Sequence, residues 1–259
     1  MAAGGQMTAR SAARGGMPTL VIFQASLRAL LTGKRWIVVV VLDAIFLLLA
    51  VLLATQSDIA THQLHLVELF HDLGLPALLP FVALLFSTEA LGAEVEDRTL
   101  IYLTLRPLSS ASIVIAKFGA AFVITLAATW VPLIVSFVLL SLKATPAGQL
   151  PALLLGGAIG SAGYCAVFLL LGLLLRRALL IGAIYVLAWE GAIASLSTSA
   201  AHLSVRFYTF GVYAGILRRD EFLNGDPYPA PAAAFIFLLL VVLAALWWTA
   251  RRVRRTELK

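Results

Sequence analysis

AEVEDRTLIYLTLRPLSSASIVIAK, residues 93–117, holds six charged side chains in a chain of 259 residues that is 61% hydrophobic and 12% charged. Apolar runs flank it, Leu75 to Leu91 before and Phe118 to Leu142 after. Each is long enough to cross a hydrocarbon core of about 30 Å when tilt is allowed. A dense polar segment between two such runs reads as the connection between two membrane spans.

Composition extends that reading to the whole chain. The mean hydropathy is +0.99 and the charged fraction is about half that of soluble globular domains. The expectation is an all-α polytopic membrane protein. Six spans are predicted: Trp36 to Ala54, Leu75 to Leu91, Phe118 to Leu142, Pro151 to Leu175, Ala178 to Leu196 and Ala232 to Ala250. Residues 1–18 read as a flexible cytoplasmic tail without the apolar h-region of a secretory signal peptide. Residues 19–259 form one membrane domain. The single cysteine, Cys165, lies in an apolar run, so it reads as packing and no intrachain disulfide forms.

Basic residues orient the spans. With a cytoplasmic N-terminus, the inner segments hold fifteen Lys and Arg and the outer segments only Lys143, Arg206, Arg218 and Arg219. The positive-inside rule then puts both termini in the cytoplasm. The net charge of +6 is a topology signal and needs no nucleic-acid partner. Before the first span, Leu20, Phe23, Leu27 and Leu31 recur at helical spacing with Gln24 and Arg28 opposite. That pattern favours an amphipathic helix in the cytoplasmic interface over an extension of the first span.

Within residues 93–117, Asp97 is a candidate N-cap, and Leu100, Ile101, Leu103 and Leu105 supply apolar surface for a short helix. Pro107 stops it. Ser109, Ser110 and Ser112 offer caps for the third span, and Lys117 anchors that span at the headgroup level. The helix either suits only its own dipole or docks a cytoplasmic partner.

The order Glu94, Glu96, Thr99, Arg106-Pro107 and Lys117 resembles the Glu-x-Glu-x-Gly-Thr, Arg-Pro and Lys segment of ABC-2 type ABC-transporter permeases. Trp189-Glu190-Gly191 resembles the same family. Arg98 stands where the family often has Gly, and Ser110 where a second basic residue is common. The resemblance implies a membrane subunit of an exporter in a prokaryotic inner membrane. It implies a second permease subunit and a separate cytoplasmic ATPase that binds ATP and Mg, with residues 94–107 as the coupling helix. The chain itself carries no cofactor and is not an enzyme: Gly33-Lys34 is followed by Arg35, and Arg28 stands where a P-loop needs its first Gly.

Asp43 and Glu190 are carboxylates inside predicted spans, and each must face protein or water. Both are candidates for the pathway or for buried structural contacts, and Lys117 is one partner within reach of Asp43. Glu89 is near enough to the interface to be solvated. Outside, His62, His65, Glu68 and Asp72 could bind a transition metal, but the same pattern describes a helix resting on the membrane surface, and the latter is favoured. Gly156 and Gly160 permit close helix approach within the subunit or across a dimer. The competing classes are a polytopic membrane enzyme, which needs clustered reactive side chains that the spans lack, and a proton-coupled carrier or channel using Asp43 and Glu190.

Overall fold

The computed structural model describes residues 19–55, 69–96, 109–141, 148–193, 198–217 and 228–256. Residues 1–18, His62, His65, Glu68, Asp97, Thr99, Arg106 and Pro107 lie outside them, as does the side chain of Glu96. The described residues are helical, with no strand among them. Helix α1 is Thr19–Thr32 and α2 is Arg35–Ala54. Helix α3 begins as a π-helix, Leu69–Leu78, and continues as an α-helix, Leu79–Glu96. Helices α4 and α5 are Ser110–Ser141 and Gln149–Leu174. Helix α6 is α-helical over Ala178–Ile184 and π-wound over Tyr185–Ile193. The short α7 is Thr198–Ala201, α8 is Val205–Leu217 and α9 is Pro231–Thr256.

Five helices are long and apolar enough to cross a membrane: α2, α3, α4, α5 and α9. Helices α3 and α5 pack together at the centre, and α4, α8 and α9 surround α5. The membrane-crossing window of α3 is 78% buried and that of α2 only 17%. The outer face of α2 exposes Ile37, Val41, Ile45 and Leu48, which is stable only against lipid or another apolar surface.

The predicted span at Ala178 to Leu196 is the one that differs most. Its helix is described from Ala178 to Ile193, a shorter stretch than the other five. Helix α8 continues the chain along α5. A Cβ on Gly163 would meet Val205 at 3.2 Å, one on Gly160 would meet Thr209 at 2.6 Å, and one on Gly156 would meet Tyr213 at 3.2 Å. Helix α8 therefore starts halfway along α5 and runs antiparallel to it. Gly156 and Gly160 thus serve packing within the subunit, because their missing side chains make room for α8.

Local sequence explains the helix ends. Ser109 caps α4, its Oγ accepting the Ser112 N–H at 3.1 Å. Gly148, at φ +88°, takes the left-handed conformation that starts α5. Gly33 and Lys34 interrupt the helix between α1 and α2, so α1 is not a plain extension of the first span. Against the bundle α1 buries Ile22, Ser26 and Leu30, while Leu20 and Leu31 stay exposed. Its apolar spacing predicted the helix, but not which side meets protein. Cys165 is a free, buried thiol with Sγ 3.5 Å from Thr125 Oγ1.

Candidate functional site

The N-terminus of α2, the C-terminus of α3, the N-terminus of α4 and the C-terminus of α9 meet at one end of the bundle. Lys34, Arg35, Lys117, Arg251, Arg252, Arg254 and Arg255 gather there, and we call it the basic end. Two of these cations clamp the last turns of α3. Lys117 Nζ donates to Glu94 Oε1 at 2.6 Å and to the Ala90 carbonyl at 2.7 Å. Arg35 Nε pairs with Glu89 Oε2 at 3.3 Å, while Nη1 donates to the Leu85 carbonyl at 2.7 Å and to Thr88 Oγ1 at 3.0 Å. Both carbonyls belong to the α-helix, so each cation uses a second lone pair. Trp36 packs on Phe86 beside the clamp, with ring centroids 5.1 Å apart.

Lys117 is 4% exposed. A charge this deep requires both a counter-ion and hydrogen bonds, and it has them. This corrects two sequence expectations. Lys117 is buried instead of resting at the headgroup level, and its partner is Glu94 instead of Asp43. Asp43 Oδ1 is buried with no hydrogen-bond partner among the described residues. Glu89, expected in solvent, is held by Arg35. Glu94 lies within the last turn of α3, so the polar connection begins directly from a clamped helix end.

A second polar assembly sits where α6 meets α8. Glu190 is 1% exposed. Its Oε1 accepts from the Tyr185 hydroxyl at 2.8 Å and from the Val205 N–H at 3.1 Å. Its Oε2 accepts from the Ser204 hydroxyl and from the Arg206 N–H at 3.2 Å. The π-winding of α6 stacks residues five apart, which brings Tyr185 over Glu190. The carboxylate thus sits at the N-terminus of α8, where free N–H groups and the helix dipole favour an anion. The Arg206 guanidinium donates to the Glu190 carbonyl at 3.2 Å and closes the assembly.

At the opposite end of the bundle, His71 Nδ1 is 2.8 Å from Asp72 Oδ1 and Nε2 is 3.0 Å from the Tyr228 hydroxyl. No group of three or more metal-ligating side chains occurs among the described residues. Of the four candidate ligands only Asp72 is described, and it points out beside the exposed Leu73.

Sequence reasoning missed Arg35, Glu89 and Ser204. Ser204 had a local signal, since a Ser immediately before an apolar helix is a capping residue, and its Oγ accepts the Phe207 N–H at 3.3 Å. The Arg35–Glu89 pair had none, because its partners are 54 positions apart.

Five apolar helices of spanning length define a multi-pass membrane protein. The family model for ABC-2 family transporter proteins matches residues 34–200, from the start of α2 through the clamp on α3 and on past Glu190. The chain belongs to that family. Comparison with curated proteins gives no match.

Proposed function

We propose that this chain is the membrane permease subunit of an ATP-binding cassette exporter. It forms a translocation pathway with a second permease subunit, identical or homologous, and is driven by a separate ATPase that binds ATP and Mg. The observation that carries this reading is the Lys117–Glu94 pair, 2.6 Å long, at the start of the polar connection that resembles the family's coupling segment. A segment that receives force from a partner is useful only if its helix is tied to its neighbours. Here α3 is tied to α4 through Lys117 and to α2 through Arg35.

Topology supports the same reading. Both α2 and α9 have one terminus at the basic end, which the positive-inside rule assigns to the cytoplasm of a prokaryotic inner membrane. Helix α6 makes the fifth of six crossings and α8 extends it along α5. Helix α1 lies in the cytoplasmic interface with Leu20, Val21 and Leu31 toward lipid. Glu94, Glu96, Asp97, Thr99, Arg106, Pro107 and Lys117 are the ATPase-coupling residues.

The test is to purify the chain from its native membrane together with any ATPase bound to it and to label Thr99→Cys with an impermeant maleimide. Co-purification, ATPase stimulation by the permease, and labelling from the cytoplasmic face alone are expected. Labelling from outside, or an ATPase that neither binds nor responds, contradicts the proposal.

A further inference from the structure

We infer that the cleft between the N-terminus of α4 and the last turns of α9 is a binding site for the headgroup of an anionic phospholipid from the surrounding leaflet. The cleft has a volume of about 390 Å³ and is lined by Ser109, Ser110, Trp247, Arg251 and Arg254 among others, with no acidic residue among the described residues of its wall. Neither arginine has a carboxylate partner among the described residues. The Arg251 guanidinium is 4.1 Å from the Trp247 ring centroid, a contact that orients it while leaving its N–H groups for an acceptor. Two guanidiniums in one concavity suit the paired oxygens of a phosphate. The opposite wall adds the positive end of the 32-residue α4.

A soluble phosphate needs only the cleft, and the surface below it is what points to a lipid. Ile236, Leu240, Leu243 and Trp247 are all exposed on α9. Their spacing of four, three and four puts them on one helical face. Arg251 and Arg254 continue that face by four and three. One strip of α9 therefore runs from aliphatic side chains through an interfacial tryptophan to two guanidiniums, the order of acyl chain, interface and phosphate in a lipid. The positive-inside rule explains why this end is basic. It does not explain why two of the four arginines share a cavity with an N-capped helix.

The proposal is tested on the full chain in nanodiscs with spin-labelled phosphatidylglycerol and phosphatidylcholine, reading their relative association with the protein. Selective association of phosphatidylglycerol is expected, weakened roughly five-fold for each guanidinium lost in Arg251→Gln and Arg254→Gln. The pair Arg252→Gln and Arg255→Gln removes the same charge outside the cleft and should leave most of the selectivity. Equal loss from both pairs overturns the proposal, because attraction would then be diffuse. So does competition by millimolar inorganic phosphate, which would make the cleft a soluble-anion site. Unchanged lipid selectivity with lost ATPase binding also overturns it, making the cleft a protein-docking surface. Single replacements Trp247→Phe and Trp247→Ala provide a second readout: the aromatic variant should keep the selectivity and the alanine variant lose part of it.

Discussion

Two buried carboxylates, Glu94 and Glu190, solve the same problem in different ways. Glu94 at the basic end neutralises a lysine from another helix. Glu190 is satisfied by two hydroxyls and two backbone N–H groups at the start of α8. The first contact joins two long helices that pack side by side. The second ends one helix and starts the next, and the dipole of α8 supplies what a cation supplies to Glu94. A side chain that ties helices is suited to transmit movement, whereas one that caps a helix is suited to hold a shape. Stability and coupling should therefore respond differently to mutation at the two places.

The largest effect is expected for Lys117→Met, which leaves Glu94 buried beside Ala90 without its cation. Loss of about 3–5 kcal/mol is expected, seen as a lower unfolding temperature in detergent. Adding Glu94→Met should recover most of that loss, since a buried pair replaced by apolar side chains is close to neutral. Coupling should not recover: the double variant should fold, bind its ATPase and hydrolyse ATP without transport. If it transports normally, the contrast between the two carboxylates disappears.

Next in size, Glu190→Gln should cost about 1–3 kcal/mol, because the amide nitrogen takes the place of one oxygen and cannot accept from that oxygen's donors, Tyr185 and Val205 or Ser204 and Arg206. Transport per folded molecule should stay unchanged, and a coupling defect there would move Glu190 from capping to the pathway. Gly160→Ala tests the seat of α8 on α5, where the added Cβ would lie 2.6 Å from Thr209. About 1–3 kcal/mol is expected, and Thr209→Ala should restore part of it. The smallest effect belongs to Ser204→Ala, about 1 kcal/mol from the lost cap, measured by thermal unfolding.

The sequence made the spanning helices legible because a twenty-residue apolar run has few other fates. Trp36 to Ala54 and Ala232 to Ala250 each fall inside a helix with nearby ends, and the Ser109 cap was readable from its position before an apolar run. Helix α3 already includes Leu69 to Gly74, ahead of its apolar run, because Leu69, Phe70, His71 and Gly74 are buried while Asp72 and Leu73 face outward. Ala178 to Leu196 read as one uniform helix because hydropathy does not record winding, and Glu190 shows its purpose only once α8 is seen to begin beside it. The Lys117–Glu94 pair was hidden for a related reason. Both residues belonged to the resembling segment, yet their meeting depends on α3 and α4 packing side by side. Asp43 was recognised as needing a protein or water environment, and its buried Oδ1 has no hydrogen-bond partner among the described residues.

The claim that α3 and α4 move as one body at the basic end is tested most directly by spin labels at Ala93 and Ile115, both exposed. In the assembled transporter their distance should stay narrow and unchanged between ATP-bound and nucleotide-free states, and should broaden in the Lys117→Met, Glu94→Met variant. A distance that shifts with ATP in the native protein would contradict the clamp, because the two helices would then be sliding past each other.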